Sequence, residues 1–121
     1  MQNDFAGIFD AIRPIFAKYE NDCFLIEDAP GKYYLGTHEL RAKDGYRTWF
    51  GGVEIKKNYV SVHLVPVYMH PTLLEGIPDK LRKRMQGKAC FNFKAKEPEL
   101  IGDLEELVGM SFQQFKTDGR I

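Results

Sequence analysis

The sequence predicts an α+β fold, an antiparallel five-stranded sheet with one helix from each end of the chain packed on the same face. Three observations carry this. The stretch after the N-terminus repeats apolar residues at helical spacing, and so does a stretch near the C-terminus. Between them lie short β-rich runs joined by tight turns, the pattern of an antiparallel meander. At 121 residues the chain suits one domain, residues 1–121, with no internal repeat or linker. A chain of this length buries about two-thirds of its unfolded surface, enough for a core without staples.

Each element has its own signal. Phe5, Ile8, Phe9, Ile12, Ile15, Phe16 and Tyr19 form one apolar stripe on a first helix. Asn3 or Asp4 can cap it, and Pro14 predicts a kink turned toward solvent. "CFLIED" and "KYYLGT" flank Pro30-Gly31, which fits the centre of a type II turn, so the two runs predict a hairpin. "HELRAKDGY" reads as a polar loop. "YRTWFGGVEI" and "YVSVHLVPVY" predict a second hairpin around "KKN". "HPTLLEGIP" reads as a turn with a little helix. "PDKLRKRMQ" reads as a short helix with Gly87 as its left-handed terminator. "ACFNF" is a fifth strand. A last helix opens at Glu97-Pro98 and buries Leu100, Ile101, Leu104, Leu107 and Val108, with a break at Gly109 before a tail holding Phe112 and Phe115.

Strand alternation then divides the sheet residues between two faces. Val60, Val62, Leu64, Phe91 and Phe93 face the helices, as do Trp49, Val53 and Ile55. The other face is mixed: Phe50, Ser61, His63, Cys90, Asn92 and Lys94, with Tyr34 a further candidate. An aromatic and polar face suits a small-ligand site; an ordinary solvated face or a homodimer interface has the same composition. One extra residue at Gly51-Gly52 would reverse the alternation beyond it.

Charge and composition restrict the function. Lys+Arg and Asp+Glu both total 17, which argues against a general nucleic-acid binder, since phosphate neutralisation supplies most of that affinity. Neutrality conceals two blocks. Lys80, Arg82, Lys83, Arg84, Lys88, Lys94 and Lys96 precede Glu97, Glu99, Asp103, Glu105 and Glu106. Helix dipoles account for much of this placement, and the other reading is an anion site with Arg84 and Lys88 at the rim of the mixed face. Cys23 and Cys90 lie in no CxxC spacing and read as reduced thiols, Cys23 buried and inert. Cys90 with His63 as base would make a thiol enzyme if the two are within reach and a third group orients the histidine. His38, His63 and His70 fit no histidine metal motif, whereas Glu20, Asp22, Glu27 and Asp28 gather near the end of the first helix and could bind iron loosely. No signal peptide or membrane-spanning run is evident, so a cytoplasmic location is expected.

The strings "PGKYYLGT", "HLVPVYMHP" and "KRMQGKACFNFK" resemble the YdhG-like family, a bacterial domain of unknown function, nearly end to end. The resemblance implies a small α+β domain with an antiparallel sheet. Some relatives are described as frataxin-like intracellular iron chaperones, which would make the fold a frataxin-like/YdhG-like sandwich. Frataxins are associated with an acidic ridge on the first helix and first strand. Here only the Glu20, Asp22, Glu27 and Asp28 group has that location, because Arg13 and Lys18 offset Asp4 and Asp10 on the helix. The leading expectation is a non-enzymatic protein without a cofactor. It binds a small anionic or polar ligand, or a partner, through Phe50, Ser61, His63, Asn92 and Lys94, with Arg84 and Lys88 at the rim. The iron chaperone is the alternative, and the thiol enzyme comes third.

Overall fold

The computed structural model describes residues 4–121, and Asn3 lies outside them. Helix α1 (Phe5–Ala17) begins at Asp4, whose Oδ1 accepts from the Gly7 amide at 2.8 Å. It buries Ile8, Phe9, Ile12, Ile15 and Phe16, and runs unbroken through Pro14, which sits on its exposed side. Strands β1 (Phe24–Ala29), β2 (Lys32–Leu40), β3 (Arg47–Ile55), β4 (Val60–Leu64) and β5 (Cys90–Phe93) pair in chain order, every neighbour antiparallel. Gly31 takes φ +73° in the β1–β2 turn, the left-handed conformation that the third residue of a type II turn demands.

Helices α1 and α4 (Pro98–Thr117) cover one face of this sheet, as the sequence predicts, and one apolar core lies between the layers. Alternation places Val60, Val62, Leu64, Phe91 and Phe93 there, all essentially fully buried. Phe50 forms the aromatic centre. Its ring meets Phe16, Tyr19, Phe112 and Phe115 edge-on, with centroids 6.1–6.4 Å apart.

Four boundaries differ from expectation. Strand β2 continues through His38 to Leu40, so only Arg41–Tyr46 forms the loop. Strand β4 stops at Leu64, because Pro66 lacks the amide a strand would use and suits the first turn of a helix. The chain turns there into a short helix, α2 (Val65–Met69). Helix α3 spans only Asp79–Arg82, so Gly87 does not terminate it. Residues 84–86 instead lie along the outer edge of β5, with Asn92 donating to the Arg84 carbonyl (2.7 Å) and Gln86 to that of Cys90 (2.9 Å). Gly87, at φ +80°, makes the turn back. Helix α4 passes through Gly109 without a break and buries Phe112 and Phe115. Its glycine allows close approach to Tyr19, whose hydroxyl would lie 3.3 Å from a Cβ there, while the Tyr19 ring stacks on Phe112 at 4.2 Å.

Candidate functional site

A bulge in β3 decides what the uncovered face carries. Leu35 pairs with Gly51 but Gly36 pairs with Trp49, which leaves Phe50 as an extra residue. Alternation reverses there. Phe50 turns into the core, fully buried, and is not part of the mixed face; Trp49, expected in the core, is the residue that joins it. Val53 stays on the covered side as expected.

The uncovered face has two halves. Toward β1 it is filled: the Arg47 guanidinium lies 3.6 Å from the Phe24 ring centre, and Ile26 lies over Gly36 so closely that a Cβ there would meet its Cδ1 at 2.8 Å. Toward β5 it opens into a concavity of about 780 Å³. Its floor is built from cross-strand rows. Gly52, His63 and Cys90 stand side by side on β3, β4 and β5, and Glu54, Ser61 and Asn92 form the next row. Tyr34 lies across Gly52; a Cβ there would meet the Tyr34 ring at 2.5 Å and the Tyr33 carbonyl oxygen at 2.1 Å, so glycine is what admits the ring. Trp49 packs beside Tyr34 with centroids 5.0 Å apart. Helix α2 supplies Val65, Tyr68 and Met69 to the wall. The β2–β3 loop adds Tyr46 and Arg41, and the β3–β4 turn adds Lys56 and Tyr59.

The wall charges are mostly matched. Arg41 grips both carboxylate oxygens of Asp44, at 2.9 and 2.5 Å. Glu54 accepts from the Tyr34 hydroxyl at 2.6 Å and from Lys56 at 3.2 Å. Burial alone would push the Glu54 carboxyl up, but the Tyr34 hydroxyl and Lys56 outweigh it and hold it below the usual range. Burial likewise raises the Tyr34 hydroxyl, and its hydrogen bond to Glu54 adds to the effect.

His63 Nδ1 and Cys90 Sγ are 3.3 Å apart on the floor. Burial lowers the His63 pKa and raises that of Cys90, Lys56 only partly offsetting the latter. Both groups are therefore neutral near pH 7, and one donates to the other according to the imidazole tautomer. No described side chain hydrogen-bonds the remaining ring nitrogen. The pair has the reach a thiol enzyme requires, while burial works against the Cys90 thiolate and no described side chain orients the imidazole. Cys23 is buried and pushed up to about 12 by desolvation.

Of the residues expected on this face, Ser61, His63 and Asn92 line the concavity. Lys94 and Arg84 line a smaller hollow beside it, where Arg84 is bound to Glu97 at 3.0 Å. Lys88 is exposed at the tip of the turn and lines neither, because α3 ends early and the chain reverses before β5. The four acids of the iron reading are not brought together. Glu20 accepts from Tyr33, Asp28 holds Arg13 at 2.8 Å and Glu27 faces Lys32. Asp22 presents its backbone carbonyl to His38. Among the described residues no group of three or more His, Cys, Asp or Glu side chains is placed to hold a metal ion, and no helix is long and apolar enough to cross a membrane.

Trp49, Tyr46, Tyr59, Tyr68 and Lys56 belong to the site without having been expected there. The bulge hid Trp49. Pro66 was the available signal for Tyr68, since a proline inside a run read as a strand argues against the strand. No family model matches the chain, and neither the curated proteins nor the solved structures give a match.

Proposed function

We propose that the protein is a non-enzymatic binder of a small polar or anionic ligand, held in the concavity on the uncovered face of the sheet. The observation that carries this is the concavity itself. Its roughly 780 Å³ falls within the ~300–1,000 Å³ usual for small-molecule sites, and Ser61, His63 and Asn92 converge on an aromatic floor there. The neutral state of His63 and Cys90 supports binding over thiol chemistry. The two free thiols suit a reducing, cytoplasmic setting.

Protein-observed NMR with a library of flat polar fragments tests the reading. Compounds that bind should move the Trp49 indole signal and the amides of Ser61, His63 and Asn92, and binding should weaken at least several-fold in Trp49→Ala. Fragments that bind only elsewhere, or an absence of binders at this face, would overturn it.

A further inference from the structure

The concavity does not end at its polar floor. It shares Tyr59, Gln86 and Asn92 with the hollow of about 370 Å³ beside it, whose other lining residues are Lys83, Arg84, Met85 and Lys94. Aromatic floor and basic shelf are thus one continuous surface. The acid at the edge of the floor, Glu54, is already taken up by the Tyr34 hydroxyl and Lys56. Arg84 is committed to Glu97, but Lys83 and Lys94 make no ion pair among the described residues, and both are exposed.

Resting on the binding reading above, we propose that the ligand is a flat heteroaromatic ring carrying an anionic group, of the nucleoside monophosphate class. The ring stacks on one of the tilted pair Tyr34 and Trp49 and meets the edge of the other, its polar edge faces Ser61 and Asn92, and the anion reaches toward Lys83 and Lys94. Three features select this class. Tyr34 and Trp49, with ring centroids 5.0 Å apart and planes tilted by 48°, line the concavity with aromatic surface, and stacking on an aromatic side chain accepts any base. The hydroxyl and amide on the floor can donate and accept, as a base edge does. The two lysines left without acid partners favour an anion, and they disfavour a cationic ligand that the aromatic walls would otherwise suit. A free nucleotide fits better than a nucleic-acid strand, because the chain has no net charge with which to neutralise successive phosphates.

Titration of the full chain with AMP, adenosine and inorganic phosphate, followed by Trp49 fluorescence and amide shifts, tests this. AMP should bind about tenfold more tightly than adenosine, since charge-assisted contacts add to stacking. Both should move Trp49 and Asn92, and phosphate alone should move signals near Lys83 and Lys94. Replacing both lysines (Lys83→Ala, Lys94→Ala) should bring AMP down to adenosine's affinity and leave adenosine unchanged. AMP no tighter than adenosine, or unaffected by the lysine replacements, overturns the nucleotide class; the binding reading survives if flat neutral compounds still occupy the concavity, and falls with it if nothing does. A ten-residue oligonucleotide binding more than tenfold tighter than AMP overturns the choice of a free nucleotide.

Discussion

On β4 and β5 the two faces of the sheet meet residue by residue. Val62 and Phe91 pair on the covered side, fully buried under the helices, while the adjoining pairs Ser61–Asn92 and His63–Cys90 stay only half-buried on the other. The covered face is dominated by apolar side chains packed against α1 and α4, with the Tyr33 hydroxyl donating to Glu20 at its edge. The uncovered face mixes aromatic, polar and titratable groups, and its glycines make room for neighbours, Gly52 for the Tyr34 ring and Gly36 for Ile26. Closing the core therefore places no demand on the second face. Toward β1 that face is packed by Phe24, Ile26 and Arg47, but toward β5 its residues are under less packing constraint, which is the condition a binding surface needs.

Adjacent residues of β3 offer the sharpest way to break that comparison. Phe50→Ala removes the centre of the aromatic core and should cost about 3–5 kcal/mol in urea unfolding. Trp49→Ala, one residue away on the other face, should cost only about 1 kcal/mol, mostly its packing on Tyr34. It should instead weaken ligand binding at least several-fold. Equal losses of stability would mean that both faces serve the core and that the distinction is false.

The same pair of residues marks the limit of what could be read from sequence. Where strands are regular, as in β4 and β5, period-two alternation assigns both faces correctly, because a buried run of Val, Leu and Phe cannot slip by one residue without exposing them all. Helix α1 and the first part of α4 were legible from their apolar stripes at helical spacing, whereas α2 was read as strand and the end of α4 was misplaced at Gly109. The bulge was not legible, since no residue announces which of two adjacent positions is the extra one; Gly51-Gly52 signals only that something irregular is near. The end of β4 was in principle readable from Pro66. The basic run was read too simply. Its bases were assigned to a helix end, yet the backbone turns at Lys83 and puts Arg84 alongside β5, where hydrogen bonding to Asn92 fixes it. Long-range pairing of that kind leaves no local pattern in the sequence.

A second test concerns chemistry within the uncovered face. With Cys23→Ser as background, Cys90 should alkylate more slowly at pH 8 than free cysteine, because burial disfavours its thiolate and Lys56 restores only part of it. His63→Ala should leave the rate nearly unchanged. A rate above that of free cysteine that depends on His63 would make the 3.3 Å pair an activated nucleophile and transfer this face from binding to catalysis.

The smallest effect is the one that links the site to stability. Glu54 is held below the usual carboxylate range by Tyr34 and Lys56 against the opposing effect of burial. The unfolded chain, whose Glu54 titrates at the ordinary value of 4.5, takes up the proton at higher pH than the folded one. The stabilisation is therefore complete above that value and is lost as pH falls through the lower folded one. Urea midpoints measured from pH 7 to about pH 3 should decline less steeply in Glu54→Gln, which keeps an acceptor for Tyr34 but cannot titrate. An unchanged acid limb would show that the Tyr34–Glu54–Lys56 chain orders the rim of the concavity without contributing to the fold, and would separate the two faces more completely than the hydrogen bonds suggest.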